Sequence, residues 1–234
     1  MLNWSDIDCD TYLEVFALQH EGLTPTEYWL EVITILTGDD VEDLTDDEFD
    51  ELKQSCLWIQ DVPPNEELKN INGRELKPFN KLTFGELIDC WKLTAKGYPI
   101  ENVHKVNAIL YGAQNDFFNF SEVLMYQPIA PLFHNLDNFL TYKKDLLEKY
   151  SELFDVPDEL DDEEEIKEEQ NSVFAKWSWE KMIWTLCNGD ITRAREVTSL
   201  PHIMVLNWVL MESELKLRQQ VQTGDGLLNG AAPI

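Results

Sequence analysis

Basic residues are scarce: 18 lysines and arginines face 45 acids, a formal charge of -27. Nucleic acid and anionic bilayers bind through a positive face that displaces counterions, so this balance argues against both as partners. Long apolar runs are also missing. No window approaches the ~18 consecutive apolar residues of a membrane span, and the first 30 residues hold no basic stretch followed by an apolar one. The expectation is a cytosolic chain without a membrane segment. Cysteine is sparse and dispersed: Cys9, Cys56, Cys90 and Cys187 form no CxxC that could seat zinc or run dithiol exchange, and they read as small buried apolar residues.

The glycine-rich turns of a nucleophile elbow or a phosphate cradle are absent, since no GxSxG, GxxxxGK or GxGxxG occurs. His20, His104, His134 and His202 stand alone, without the HxH or HExxH spacing that sets two imidazoles on one metal. Asp6, Asp8 and Asp10 open like a calcium loop. The loop glycine is missing, however, and Ala17 stands where the bidentate glutamate belongs. The other acids fall in hydrophilic runs and at helix starts, where carboxylates are solvated or capped rather than tuned apart as an acid and base pair. The reading is a protein with no catalytic residue, no cofactor and no metal. An enzyme whose site is assembled from distant residues is the rival, to be recognised by a concave pocket holding a perturbed titratable group.

What is present is helical patterning. Thr24-Pro25-Thr26-Glu27, Thr45-Asp46-Asp47-Glu48 and Thr83-Phe84-Gly85-Glu86 each set threonine at a helix N-cap and glutamate three residues on, the capping box. Asn119-Phe120-Ser121-Glu122 offers a fourth. Trp29, Leu30, Ile33 and Leu36 recur at helical spacing up to Gly38, a left-handed stop. Further helices are predicted near 101–112, 119–126 and 129–154. Within this pattern lies one exception. Asn72-Gly73, flanked by 68–71 and 74–79, is the strongest short signal for a hairpin, because a type I′ turn needs positive φ at both central residues. A lone two-stranded ribbon is marginal in water. It must lie on helices, with the helix from Thr83 as the expected floor, or offer its edge to another chain.

The fold class is therefore mainly α. A helical domain is expected over 1–156 with the hairpin near 68–79, then an acidic linker over 157–171, a C-terminal helical module over 172–222 and a mobile tail over 223–234. The linker assignment rests on residues 158–170, nine acids and one lysine, a block that repels itself and stays solvated. The patches 39–51 and 158–169 hold 18 of the 45 acids, either as solvated faces or as a lure for a basic partner. Trp177, Trp179, Trp184 and Trp208 concentrate half of the eight tryptophans in the C-terminal module, as core or as interface anchors.

The segments "ITILTGDDVEDL" and "GDITRAREVTSLPHIMVLNW", together with the NG hairpin and "KLTFGELIDCW", resemble small acidic assembly or structural proteins of tailed bacteriophages, in particular tail assembly chaperone type proteins. The resemblance implies a non-enzymatic role in virion assembly in the host cytoplasm, holding a long, aggregation-prone tape-measure-like client. A neighbouring virion subunit is the other partner it allows, with the chain then a structural component of the neck, tail or baseplate. A lower alternative is an acidic DNA mimic that inhibits a host protein. For a groove that takes an amphipathic client helix, the candidate residues are Trp177, Trp184, Ile203, Leu206 and Leu210.

Overall fold

The structure, a computed structural model, describes residues 3–38, 41, 44–95, 98–154 and 179–228. The protein is mainly helical with one two-stranded antiparallel hairpin. The expected linker at 157–171, the start of the C-terminal module, Trp177 and the last six residues lie outside the described residues. The helices are α1 (Cys9–Leu18), α2 (Pro25–Thr37), α3 (Asp46–Cys56), α4 (Phe84–Leu93), α5 (Val103–Leu110), α6 (Phe117–Met125), α7 (Ile129–Lys149), α8 (Ser151–Phe154), α9 (179–186), α10 (Ala194–Thr198) and α11 (His202–Leu228). The strands are β1 (Asn70–Ile71) and β2 (Arg74–Glu75).

The chain divides into two compact units. One comprises Met1–Lys77 with Asp89–Thr141, the other Pro78–Ile88 with Tyr142–Ile234, so two of the three boundaries fall inside α4 and α7. This differs from the division expected at the acidic block. The reason is backbone pairing: the Phe84 amide donates to the Leu200 carbonyl at 2.8 Å and the His202 amide to the Leu82 carbonyl, which binds 78–88 to the C-terminal unit.

All three threonine capping boxes form, with the amides of Thr24, Thr45 and Thr83 donating to Glu27, Glu48 and Glu86 at 2.8, 3.0 and 2.8 Å. Accepting from the threonine hydroxyl, and less strongly from the same residue's amide, holds the Glu27 and Glu48 carboxyls below their ordinary range. The fourth box does not form. Helix α6 already begins at Phe117, and the Asn119 side-chain amide donates to Asp116 Oδ1 at 2.8 Å from inside the first turn. Two of the three aspartates of the calcium-like opening act as caps: Asp6 closes a capping box with Asn3, and Asp8 caps α1 by accepting from the Thr11 amide at 2.9 Å.

In the first unit α1 packs on α2, α2 on α3, and α5 on α6. The core includes Val32, Ile33, Val103, Val106, Leu124, Leu132 and Phe139, all without exposed surface. A buried polar chain runs through it. The Asn107 side-chain amide donates to the Leu132 and Val103 carbonyls, both at 2.9 Å, while its Oδ1 accepts from Asn135 at 2.9 Å. Asn135 also reaches the Tyr111 hydroxyl at 3.2 Å, and that hydroxyl donates to the Leu68 carbonyl.

The hairpin has the expected turn, with φ of 50° at Asn72 and 80° at Gly73. Its register pairs Asn70 with Glu75 and Ile71 with Arg74. Its floor is not the helix that starts after Thr83. Ile71 is buried, the Lys77 amide donates to the Leu110 carbonyl at 2.9 Å, and the Arg74 guanidinium sits 4.9 Å from the Phe120 ring while reaching the Gly112 carbonyl and Asp116. The ribbon is a clip over the corner between α5 and α6. Gly112 is favoured at that corner because its φ is +69°, a left-handed conformation that side chains rarely adopt. Arg74→Met keeps the apolar stem but removes the charge, so urea unfolding should show a loss of about 1–2 kcal/mol. A change within experimental error would mean that the clip contributes nothing to holding the corner.

In the second unit the core is built on Leu82, Phe84, Leu87, Tyr150, Trp179, Val205 and Leu206. Phe84 and Trp179 meet edge to face at 5.7 Å. Asn188 and Gly189 both take positive φ, 53° and 77°, at the turn after α9. Helix α11 runs to Leu228, past the end expected near 222.

Candidate partner-binding surfaces

Helix α11 is anchored at its first residue. His202 has no exposed surface; its Nδ1 lies 2.8 Å from the Leu82 carbonyl oxygen and its Nε2 2.7 Å from the Tyr142 hydroxyl. A carbonyl only accepts, so Nδ1 carries the proton and Nε2 accepts from Tyr142. Burial pushes the imidazole below its ordinary pKa, partly offset by the Leu82 carbonyl and the Glu86 carboxylate. Further along, the Tyr150 hydroxyl donates to Asn207 at 2.7 Å. These bonds set the rotation of α11 about its axis.

The consequence is a fixed inner and outer face. Eight of the ten residues from His202 to Met211 are apolar, more than one side of a helix can bury. His202, Val205 and Leu206 turn inward. Met204, Trp208, Met211 and Leu215 remain 45–51% exposed. Their spacing of four, three and four residues confines them to a sector of roughly 60° at ~100° per residue, the seam of a helix that packs lengthwise on another helix. Beyond it, Glu212, Glu214, Lys216 and Arg218 balance in charge, with Lys216 3.9 Å from Glu212. In a chain of formal charge -27, this apolar and locally neutral face is distinctive.

The residues selected from the sequence fall elsewhere. Leu206 is 1% exposed and belongs to the interior; Ile203 and Leu210 are half-buried. Together they form a stripe turned about 140° from the exposed one. Trp184, on α9, is 52% exposed and its ring lies over Gly189, where an added Cβ would stand 3.3 Å from Cζ2. Trp177 lies outside the described residues. Met204, Met211 and Leu215 were not singled out from the sequence, and Trp208 was singled out only as core or interface anchor. Their 4-3-4 spacing was visible, yet a second apolar stripe on the same helix was equally so.

The first unit holds a separate feature, an apolar pocket of ≈ 240 Å³. Tyr12 and Phe16, one turn apart on α1, form one wall, and Phe133, Leu136, Asp137 and Leu140 on α7 form the other. Tyr98, Pro99 and Ile100 close the end. Tyr98 is half exposed, meets Phe16 edge to face at 5.5 Å and stacks on His20 at 4.4 Å. Burial raises the Tyr12 hydroxyl pKa, with a smaller contribution from Tyr28.

Burial also shifts titratable groups outside the pocket. Cys9 is fully buried and its thiol is pushed up to about 12 by desolvation and by Asp10 and Asp8. His104 is brought down to about 4 by burial and Lys105 against Asp10, and its buried Nδ1 has no hydrogen-bond partner. Among the described residues no three His, Cys, Asp or Glu side chains group to hold a metal ion, and no helix is long and apolar enough to cross a membrane. No protein-family model, curated protein or solved structure matches the chain.

Proposed function

We propose that this chain is a non-catalytic assembly protein of the tailed-bacteriophage kind, acting in the host cytoplasm by holding an amphipathic helix of a partner polypeptide, as a tail assembly chaperone holds a tape-measure-like client. The observation that carries the reading is the outward seam of Met204, Trp208, Met211 and Leu215. Exposed apolar stripes at this spacing are what a lengthwise helix partner covers, and the flexible thioethers of two methionines adapt to more than one partner surface. The surrounding negative charge keeps such a face from drawing copies of the chain into aggregates.

Magnitude limits the grip. Burying four half-exposed side chains yields roughly 3–6 kcal/mol gross. Association costs at least about 4 kcal/mol in lost freedom, so the seam by itself gives a weak, reversible hold. That suits a factor that must release its client.

The test is capture of the tagged chain from infected cells, followed by affinity measurement with the co-purifying phage protein. A long helical client should bind the unaltered chain and lose about 30-fold in affinity with Trp208→Glu, the size of a central aromatic anchor. A client that binds Trp208→Glu and Met211→Glu as tightly as the original overturns the reading, as does a host DNA-binding protein as the captured partner.

A further inference from the structure

We propose that the pocket between α1 and α7 is an anchor site for an arginine side chain of a partner polypeptide. The lining brings four aromatic rings, Tyr12, Phe16, Tyr98 and Phe133, around a space whose one charged lining group is the exposed carboxylate of Asp137. Ring faces carry negative potential and attract a cation, and a planar guanidinium stacks on them while giving up less hydration than an ammonium. Arginine also brings three methylenes to cover the apolar wall and a fork of donors for a carboxylate at the mouth. Size selects a side chain over a free metabolite. Sites for small molecules enclose roughly 300–1,000 Å³, whereas this pocket offers ≈ 240 Å³ and a single charged group. Charge selects the sign, because a chain of -27 attracts a cationic partner and repels an anionic one at the same mouth.

The site is built from residues of the first unit and the α11 seam from residues of the second, and the assignment does not rest on the seam. The probe is a blocked tripeptide with arginine between two alanines, titrated into the isotope-labelled full chain and followed by NMR. Saturable shifts are expected at Asp137, Tyr98 and Phe16, with a dissociation constant on the order of 1 mM. The same peptide with norleucine in place of arginine should bind about 5-fold more weakly, and Asp137→Asn and Tyr98→Leu should each weaken the arginine peptide by a similar factor. Both substituted side chains are exposed, so the fold is expected to persist, with the amide spectrum as the check. Equal affinity for norleucine would reduce the site to an apolar groove and overturn the assignment. An arginine response unchanged in both variants, or shifts scattered away from the pocket, would do so as well. Trp208→Glu should leave this titration unaltered, so failure here and failure of the α11 seam are separate results.

Discussion

Asn107→Leu should destabilise the first unit by about 3 kcal/mol in urea unfolding, although leucine keeps the branched outline of asparagine. The side chain has no exposed surface and joins α5 to α7 through Leu132 and Asn135. Its loss removes buried hydrogen bonds worth about 1 kcal/mol each and leaves an Asn135 N–H without an acceptor, at a further cost of about 1–3 kcal/mol. Asn107→Leu with Asn135→Leu removes donor and acceptor together. The pair should therefore cost about 1–2 kcal/mol less than the sum of the singles, while strictly additive losses would show that the two amides do not act as a unit.

His202→Asn should cost about 2 kcal/mol at pH 7.5 and less at pH 5, relative to the unaltered chain at each pH. The native imidazole is fully buried, donates from Nδ1 and accepts at Nε2, so the fold favours its neutral form. Its folded pKa lies below the ordinary 6.5. The unfolded chain then binds the proton more readily, and stability rises with pH. The contribution is complete above the unfolded value and is lost as pH falls below about 6.5 toward the lower folded value. Asparagine has no such proton, so the gap between variant and parent must narrow on acidification. A gap that stays constant from pH 7.5 to 5 would refute the assignment of a neutral histidine.

These two sites mark the limit of what the sequence discloses. Thr24, Thr45 and Thr83 were legible as helix starts because a capping box is closed by residues three apart. The Asn72-Gly73 turn was legible for the same reason, through two adjacent φ angles. The floor beneath the hairpin was not, since it depends on Phe120 and Gly112, far along the chain. Asn119 misled because its spacing to Glu122 imitates a box that the earlier start at Phe117 makes unnecessary. On α11 the helix was evident and its rotation was not. The inward stripe is chosen by Leu82 and Tyr142, which lie 120 and 60 residues from His202. Periodicity names the faces of a helix; only partners distant in sequence decide which face meets water. The pocket was hidden likewise, since Tyr12, Tyr98 and Phe133 come from three distant stretches.

The four cysteines are buried thiols outside any disulfide, three in the first unit and Cys187 in the second. Alkylating reagents reach a buried thiol only when its surroundings part, so each unit carries its own native clock for transient opening. Mass spectrometry of peptides around Cys187 times one, and those around Cys9, Cys56 and Cys90 time the other, without any engineered label.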